Sequence, residues 1–308
     1  LILSGVFTEL TSGNTPVNIF FSPLNFLFTA TLGYGFLVLV FREIAVRNKL
    51  GILGMLCLGL IYGLYNEGLF AKTIFFPFNS PISSFANYGL LLNIRIPWTL
   101  TILTWHALYA LIFPVVWVYF LYPKTAQEPW LSKTTTFIMG FFVMLFGIVM
   151  FFANKQMDRV ITTIDMMIVF LLVFIFWWLA KKVKNIVKIN YEINNGATLR
   201  YFLLGALLFV VFFFVPVALS QVVSFKVFIA YFLVAGGMAM IKAWHVTEVS
   251  LTQLMMVALG GEFILSLLMT LIAKSNGQPA QVITGAILVI IFARYFFKVR
   301  KRVNTGVN

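Results

Sequence analysis

Charge, cysteine and histidine are all scarce in this chain. Only 10% of its 308 residues are charged and 61% are hydrophobic. A soluble domain carries roughly 25% charged residues, so no polar shell can cover this much apolar mass. One Cys excludes a disulfide framework, and with only two His it also excludes a Cys/His zinc cluster. No metal and no cofactor is expected. No GxxxxGK[ST] loop occurs, and no polar connection is long enough to bury a core of its own. Those absences exclude an ATPase domain and a soluble catalytic domain. No signal-peptide pattern is visible at the start.

What is abundant is apolar: the mean hydropathy is +0.99, with 35 Phe and 7 Trp. A bilayer needs about 20 mostly apolar residues per helix. Windows of that length fall at 22–41, 50–70, 98–122, 134–153, 160–180, 200–220, 225–242, 251–273 and 280–298. They predict an all-α transmembrane bundle of about nine spans, a single integral membrane domain over 1–308. Leu1–Leu10 reads as the tail of an upstream helix, which would make ten. The net charge of +13 resembles that of a nucleic-acid binder until it is located. Lys and Arg gather between spans, at 42–49, 124–133, 181–200 and 294–302. The positive-inside rule puts these segments and the C-terminus in the cytoplasm of a plasma-membrane protein. Their expected partners are anionic lipid headgroups, not nucleic acid.

A charge at mid-membrane costs about 2.5–3.5 kcal/mol on insertion scales, so each of the nine carboxylates is a candidate functional group. Glu262 lies near the middle of the 251–273 window. Ala258, Glu262, Ser266 and Thr270 recur every four residues and share one helix face. Such a stripe packs against other helices or lines a wet cavity. Glu67, preceded by Asn66, ends a second stripe that begins with Gly59 and Gly63. His106 enters its span at a similar depth and shares a face with Ala110 and Pro114. Pro114 should kink the helix and free a backbone carbonyl. Lys72 is expected to reach the interface rather than pair with Glu67. Asp165, and Asn154, Lys155, Asp158 and Arg159 before it, read as interfacial. Glu43 beside Arg42, and Glu192, read as solvated ion pairs, and His245 and Glu248 as a solvated face.

Residues 66–131 carry Asn66-Glu67-Gly68-Leu69, Lys72, Phe76-Pro77, Tyr88-Gly89, Trp98, Thr104, His106-Ala107, Pro114, Pro123 and Pro129-Trp130-Leu131. With Ser12-Gly13-Asn14-Thr15-Pro16 and Phe20-Phe21-Ser22-Pro23 before them, these resemble a family of uncharacterised prokaryotic multi-span membrane proteins. In that family an EEGL-type motif ends one span and an HA pair sits in the next. The glutamate followed 39 residues later by a membrane histidine is also similar to the CPBP intramembrane proteases. Here Asn66 replaces their first Glu, Lys72 stands one position late and Ile102 stands in place of Phe. The stretch 243–294, with Glu262 and Gly285-Ala286, looks like the end of a drug/metabolite-transporter repeat.

Two activities follow as expectations. The first is a permease for a small solute, with or without proton coupling, with Glu262, Glu67, His106, Ser266 and Asn66 binding solute or proton. The second, which the protease resemblance implies, is an intramembrane hydrolase. In it Glu67 activates water and His106 orients it or stabilises oxyanion charge. A non-catalytic membrane subunit or scaffold is the remaining reading.

Overall fold

A computed structural model describes residues 2–13, 15–75, 88–153, 161–183, 187–191, 198–220, 222–244 and 246–305. Asn154, Lys155, Asp158, Arg159, Glu192 and His245, singled out above, lie outside the described residues, as does Phe76-Pro77.

The apolar windows became helices almost residue for residue. A short helix over 2–10 is followed by a single turn, Val17–Phe20. With the 2–10 helix taken as α1, the long helices are α2 (Pro23–Arg47), α3 (Ile52–Phe70), α4 (Ile96–Leu121), α5 (Lys133–Ala153), α6 (Thr163–Val183), α7 (Thr198–Leu219), α8 (Phe225–Trp244), α9 (Leu251–Ser275) and α10 (Pro279–Thr305). Among the described residues eight of these are long and apolar enough to cross a membrane. The apolar part of α8, Phe225–Ala239, is shorter. The expectation of an all-α bundle of about nine spans therefore holds.

Burial separates the helices by role. Of the most apolar window of α4, 72% is buried inside the protein, against 11% for α5. Thus α4 is the axis of the bundle, and Tyr109, Val116, Trp117 and Tyr119 on it belong to the main core with Met255, Leu259 and Leu265 of α9. By contrast α5 turns Phe137, Phe141 and Phe152 outward. Exposed aromatics on that scale are what a hydrocarbon solvent would cover. The tightest crossing is between α7 and α9. A Cβ on Gly205 would overlap the Val257 carbonyl oxygen, and one on Gly260 the Phe202 carbonyl oxygen. Small residues let two backbones meet where no hydrophobic drive operates.

Two prolines do what their chemistry dictates. Pro114 cannot donate to the carbonyl one turn earlier, and the Ser4 hydroxyl donates to that carbonyl of Ala110 (2.6 Å). Pro216 lies just beyond a wide turn of α7, and the Tyr231 hydroxyl donates to the Val211 carbonyl (2.6 Å). Each freed acceptor is satisfied by a side chain from another helix, which ties α1 to α4 and α8 to α7.

The ends of the bundle are tied by small polar devices. A two-stranded antiparallel hairpin, β1 (Leu90–Leu91) with β2 (Ile94–Arg95), leads into α4. A parallel pair, β3 (Lys188–Asn190) with β4 (Glu248–Ser250), joins the connection after α6 to the start of α9. There Ser250 accepts from the Gln253 amide (3.2 Å) and Gln253 accepts from the Ser250 amide (3.0 Å), a reciprocal capping box.

The structure corrects the expectation of a solvated Arg42–Glu43 pair. Arg42 and Glu43 are not solvated: both side chains are fully buried and 2.6 Å apart. Arg42 also donates to the Tyr119 hydroxyl and to the carbonyls of Thr125 and Ala126, and lies 3.7 Å from the Trp130 ring centroid. Glu43 accepts from the Trp130 amide (2.9 Å) and from Arg47, which itself donates to the Leu131 carbonyl. The connection 123–131 folds under the bundle and closes over the pair, which gives the Pro129-Trp130-Leu131 run its purpose. Asp165 is likewise buried. It caps its own helix by accepting from the Thr162 amide (2.9 Å) and hydroxyl (2.8 Å).

Candidate functional site

Among the described residues five segments have wide π-helical turns: Val6–Leu10, Phe26–Phe36, Tyr65–Phe70, His106–Ile112 and Val210–Phe214. Bonding from i to i+5 inserts a residue into the turn and re-aims the side chains beyond it, a feature that gathers at functional sites. All five converge on one cavity of about 1000 Å³. They bring to its wall Glu9, Tyr34, Glu67, His106 and Phe213 respectively.

The centre of the wall is a direct contact between Glu67 and His106, with Nε2 2.7 Å from Oε1. Both side chains are almost wholly buried. The glycine stripe foreseen on α3 makes this possible. A Cβ on Gly59 would overlap Ala107, and one on Gly63 would press on Leu103 and the His106 Cβ. Only glycine lets α3 and α4 approach closely enough for the carboxylate to reach the ring.

The second oxygen of Glu67 accepts from the Thr73 hydroxyl, and Thr73 in turn accepts from Trp98 Nε1 (2.9 Å). Arg95 donates to the Thr73 carbonyl (3.1 Å), fixing the loop that carries it. Desolvation lowers the Arg95 guanidinium to about 10. Lys72 is buried, and its Nζ lies 4.4 Å from the Phe151 ring centroid. Desolvation lowers its ammonium as well.

A second carboxylate, Glu9, is linked to the imidazole through Tyr34. It accepts from the Tyr34 hydroxyl (2.5 Å) and the Thr15 hydroxyl (2.6 Å). The Tyr34 ring stacks on His106 at 6.1 Å between centroids and 19° between planes, with the Tyr62 ring 5.6 Å away on a tilt. A carboxylate, a phenol and an imidazole held by a carboxylate thus form one cluster. Among the described residues no three His, Cys, Asp or Glu side chains stand close enough to share a metal ion.

Three buried polar atoms on lining residues have no hydrogen-bond partner among the described residues: His106 Nδ1, Asn66 Nδ2 and Thr101 Oγ1. Since buried polar groups are nearly always paired, these are where a ligand or water would be received. A neutral ring that donates through Nε2 to the carboxylate has Nδ1 as its acceptor.

Of the sequence candidates, the fold brings Glu67, His106 and Asn66 together at the cavity. Glu262 and Ser266 stand apart from it. Both are fully buried, on the helix face the four-residue spacing indicated, and neither the Glu262 carboxyl oxygens nor Ser266 Oγ has a partner among the described residues. Thr11 is a polar neighbour of Glu262, but its hydroxyl is donated to the Phe7 carbonyl (2.7 Å). Glu9, Tyr34 and Thr73 were not singled out from the sequence. For Glu9 a signal was present, since it is one of nine carboxylates and lies in an apolar run. For Tyr34 and Thr73 none was.

No curated protein matches the chain, and no solved structure does. A family model described as an uncharacterized membrane protein family matches residues 1–303, nearly the whole length. The chain belongs to that uncharacterized membrane protein family.

Proposed function

We propose that this protein is an intramembrane hydrolase whose acid–base centre is the Glu67–His106 pair. The observation that carries the reading is the 2.7 Å contact between the two side chains at the wall of a cavity of about 1000 Å³, a volume suited to a small organic ligand. The hydrogen bonds favour a division of labour different from the one the protease resemblance implies. Both Glu67 oxygens are engaged, one by His106 and one by Thr73, so Glu67 orients the ring. His106 Nδ1 is the atom with a lone pair to offer.

In the reaction, Nδ1 takes a proton from a water as its oxygen bonds to the acyl carbon of an ester or amide. The carbonyl oxygen gains charge and is met by the Asn66 amide N–H, which has the Tyr62 hydroxyl as a polar neighbour but no full hydrogen bond among the described residues. The imidazolium is stabilised by Glu67. As the bond to the leaving oxygen or nitrogen breaks, His106 returns the proton to it, and the ring is restored. The basic segments between spans support placement in the plasma membrane with a cytoplasmic C-terminus and anionic headgroups beside them.

The permease reading retains one supporting observation, the two carboxylates at a cavity large enough for a whole solute. The two readings part at Glu262. The permease reading counts Glu262 among its solute- or proton-binding residues, whereas the hydrolase does not touch it. In a purified chain assayed for release of a chromophore from long-chain esters and amides, Glu262→Gln is expected to turn over like the wild type. Loss of turnover in a variant with normal thermal stability would transfer the function to Glu262.

A further inference from the structure

The described lining of the cavity is acidic where the chain is basic. The protein carries +13 overall, yet the described lining residues include two carboxylates, Glu9 and Glu67, and neither Lys nor Arg. Of the basic residues beside it, Lys72 lies over the Phe151 ring, and Arg95 donates to the Thr73 carbonyl with its guanidinium 5.7 Å from the Trp98 ring centroid. Apart from the polar cluster the wall is aromatic and aliphatic, with Trp98, Trp105, Phe70, Phe213, Leu268 and Met269 upon it.

That combination selects on two properties. An aromatic face attracts a cation, and more strongly in a desolvated site. An anion brought in here would meet two carboxylates, with no Lys or Arg among the described lining residues to offset them. A small hydrophilic cation would meet the carboxylates but leave most of the apolar wall uncovered. The open polar atoms Asn66 Nδ2 and His106 Nδ1 mark where a polar group of the ligand would lie beside the carboxylates.

We propose that the ligand of this cavity is a lipophilic cation: an amphiphile with its positive charge against Glu9 and Glu67 and its apolar body along the Trp and Phe wall. This names the substrate class of the hydrolase and rests on that reading for the cavity being the working site. The geometry of binding itself does not require the reaction.

Tetraphenylphosphonium and tetraphenylborate have the same size and shape and opposite charge. Equilibrium dialysis of each against the purified full chain in a non-ionic detergent separates charge from hydrophobicity. The phosphonium is expected to bind at least about tenfold more tightly than the borate, and Glu9→Gln and Glu67→Gln each to weaken phosphonium binding by about tenfold or more. Glu128→Gln, an exposed change elsewhere on the chain, is expected to weaken neither. Equal binding of the two ions by the wild type would overturn the proposal, as would unchanged selectivity in both cavity variants. Failure of the catalytic reading shows separately, as turnover that survives His106→Ala while phosphonium selectivity persists.

Discussion

His106→Ala is expected to reduce hydrolytic turnover by about 10²- to 10⁴-fold, the range over which a positioned general base contributes, with a smaller effect on KM. The ring is the one group in the cluster with an acceptor nitrogen left open, and neither Tyr34 nor Glu9 is placed to replace it, since they bond to each other. Glu67→Gln should be almost as damaging for a different reason. A Gln amide can donate to Nε2, which moves the ring proton to Nδ1 and removes the base while leaving the ring in position. Steady-state rates on the same ester and amide panel, with circular dichroism to establish folding, check both. Full activity in His106→Ala would end the hydrolase reading.

The second large effect concerns stability, at the opposite end of α4. Arg42→Ala is expected to destabilise the fold by about 3–5 kcal/mol, the usual cost of breaking a buried ion pair from one side. Glu43 would keep its bond from the Trp130 amide and its longer contact with Arg47, but would lose its 2.6 Å partner while fully buried. The carbonyls of Thr125 and Ala126 would lose their donor, and the Trp130 ring its cation. Replacing both charges together, as Arg42→Met with Glu43→Leu, should cost less than the single change, because no charge is then stranded. Thermal unfolding in detergent measures both. A single variant as stable as the wild type would mean that the 123–131 connection does not close over the pair.

Much of this fold was legible in the sequence because hydropathy is a local property. Twenty apolar residues in hydrocarbon have one good solution, a helix that satisfies its own backbone, so the windows located the helices within a few residues. The site was legible for a related reason. Ionisable groups are expensive in apolar windows, and so Glu67 and His106 could be named and matched by depth. The Gly59–Gly63–Glu67 stripe forecast a close-packed face leading to the carboxylate, and the structure packs α4 against it.

Other features depended on geometry that no local pattern encodes. Tyr34 reaches Glu9 through a wide-turned helix, and Thr73 reaches Glu67 from a loop, so their roles appear only after the chain has folded back. Glu9 lay in a run too short to be read as a span. Arg42 and Glu43 follow a hydrophobic window and precede a basic segment, the pattern of a solvated end, and only the folding of 123–131 beneath them makes them core. For Glu262 the spacing correctly gave a face turned toward other helices. It carried no information on whether that face met the cavity or solid packing.

The central claim is that Glu67 holds the His106 ring with one nitrogen open, and it can be tested without knowing the substrate. The chain has only two histidines, so His245→Gln leaves His106 as the sole imidazole. Nitrogen-15 NMR of histidine-labelled protein in detergent micelles or bilayers then reports the protonation of each ring nitrogen. The account predicts a neutral ring with the proton fixed on Nε2 and Nδ1 unprotonated, and a reversal or averaging of the two signals on Glu67→Gln. A ring that exchanges between tautomers like free imidazole, and is indifferent to Glu67→Gln, would contradict it.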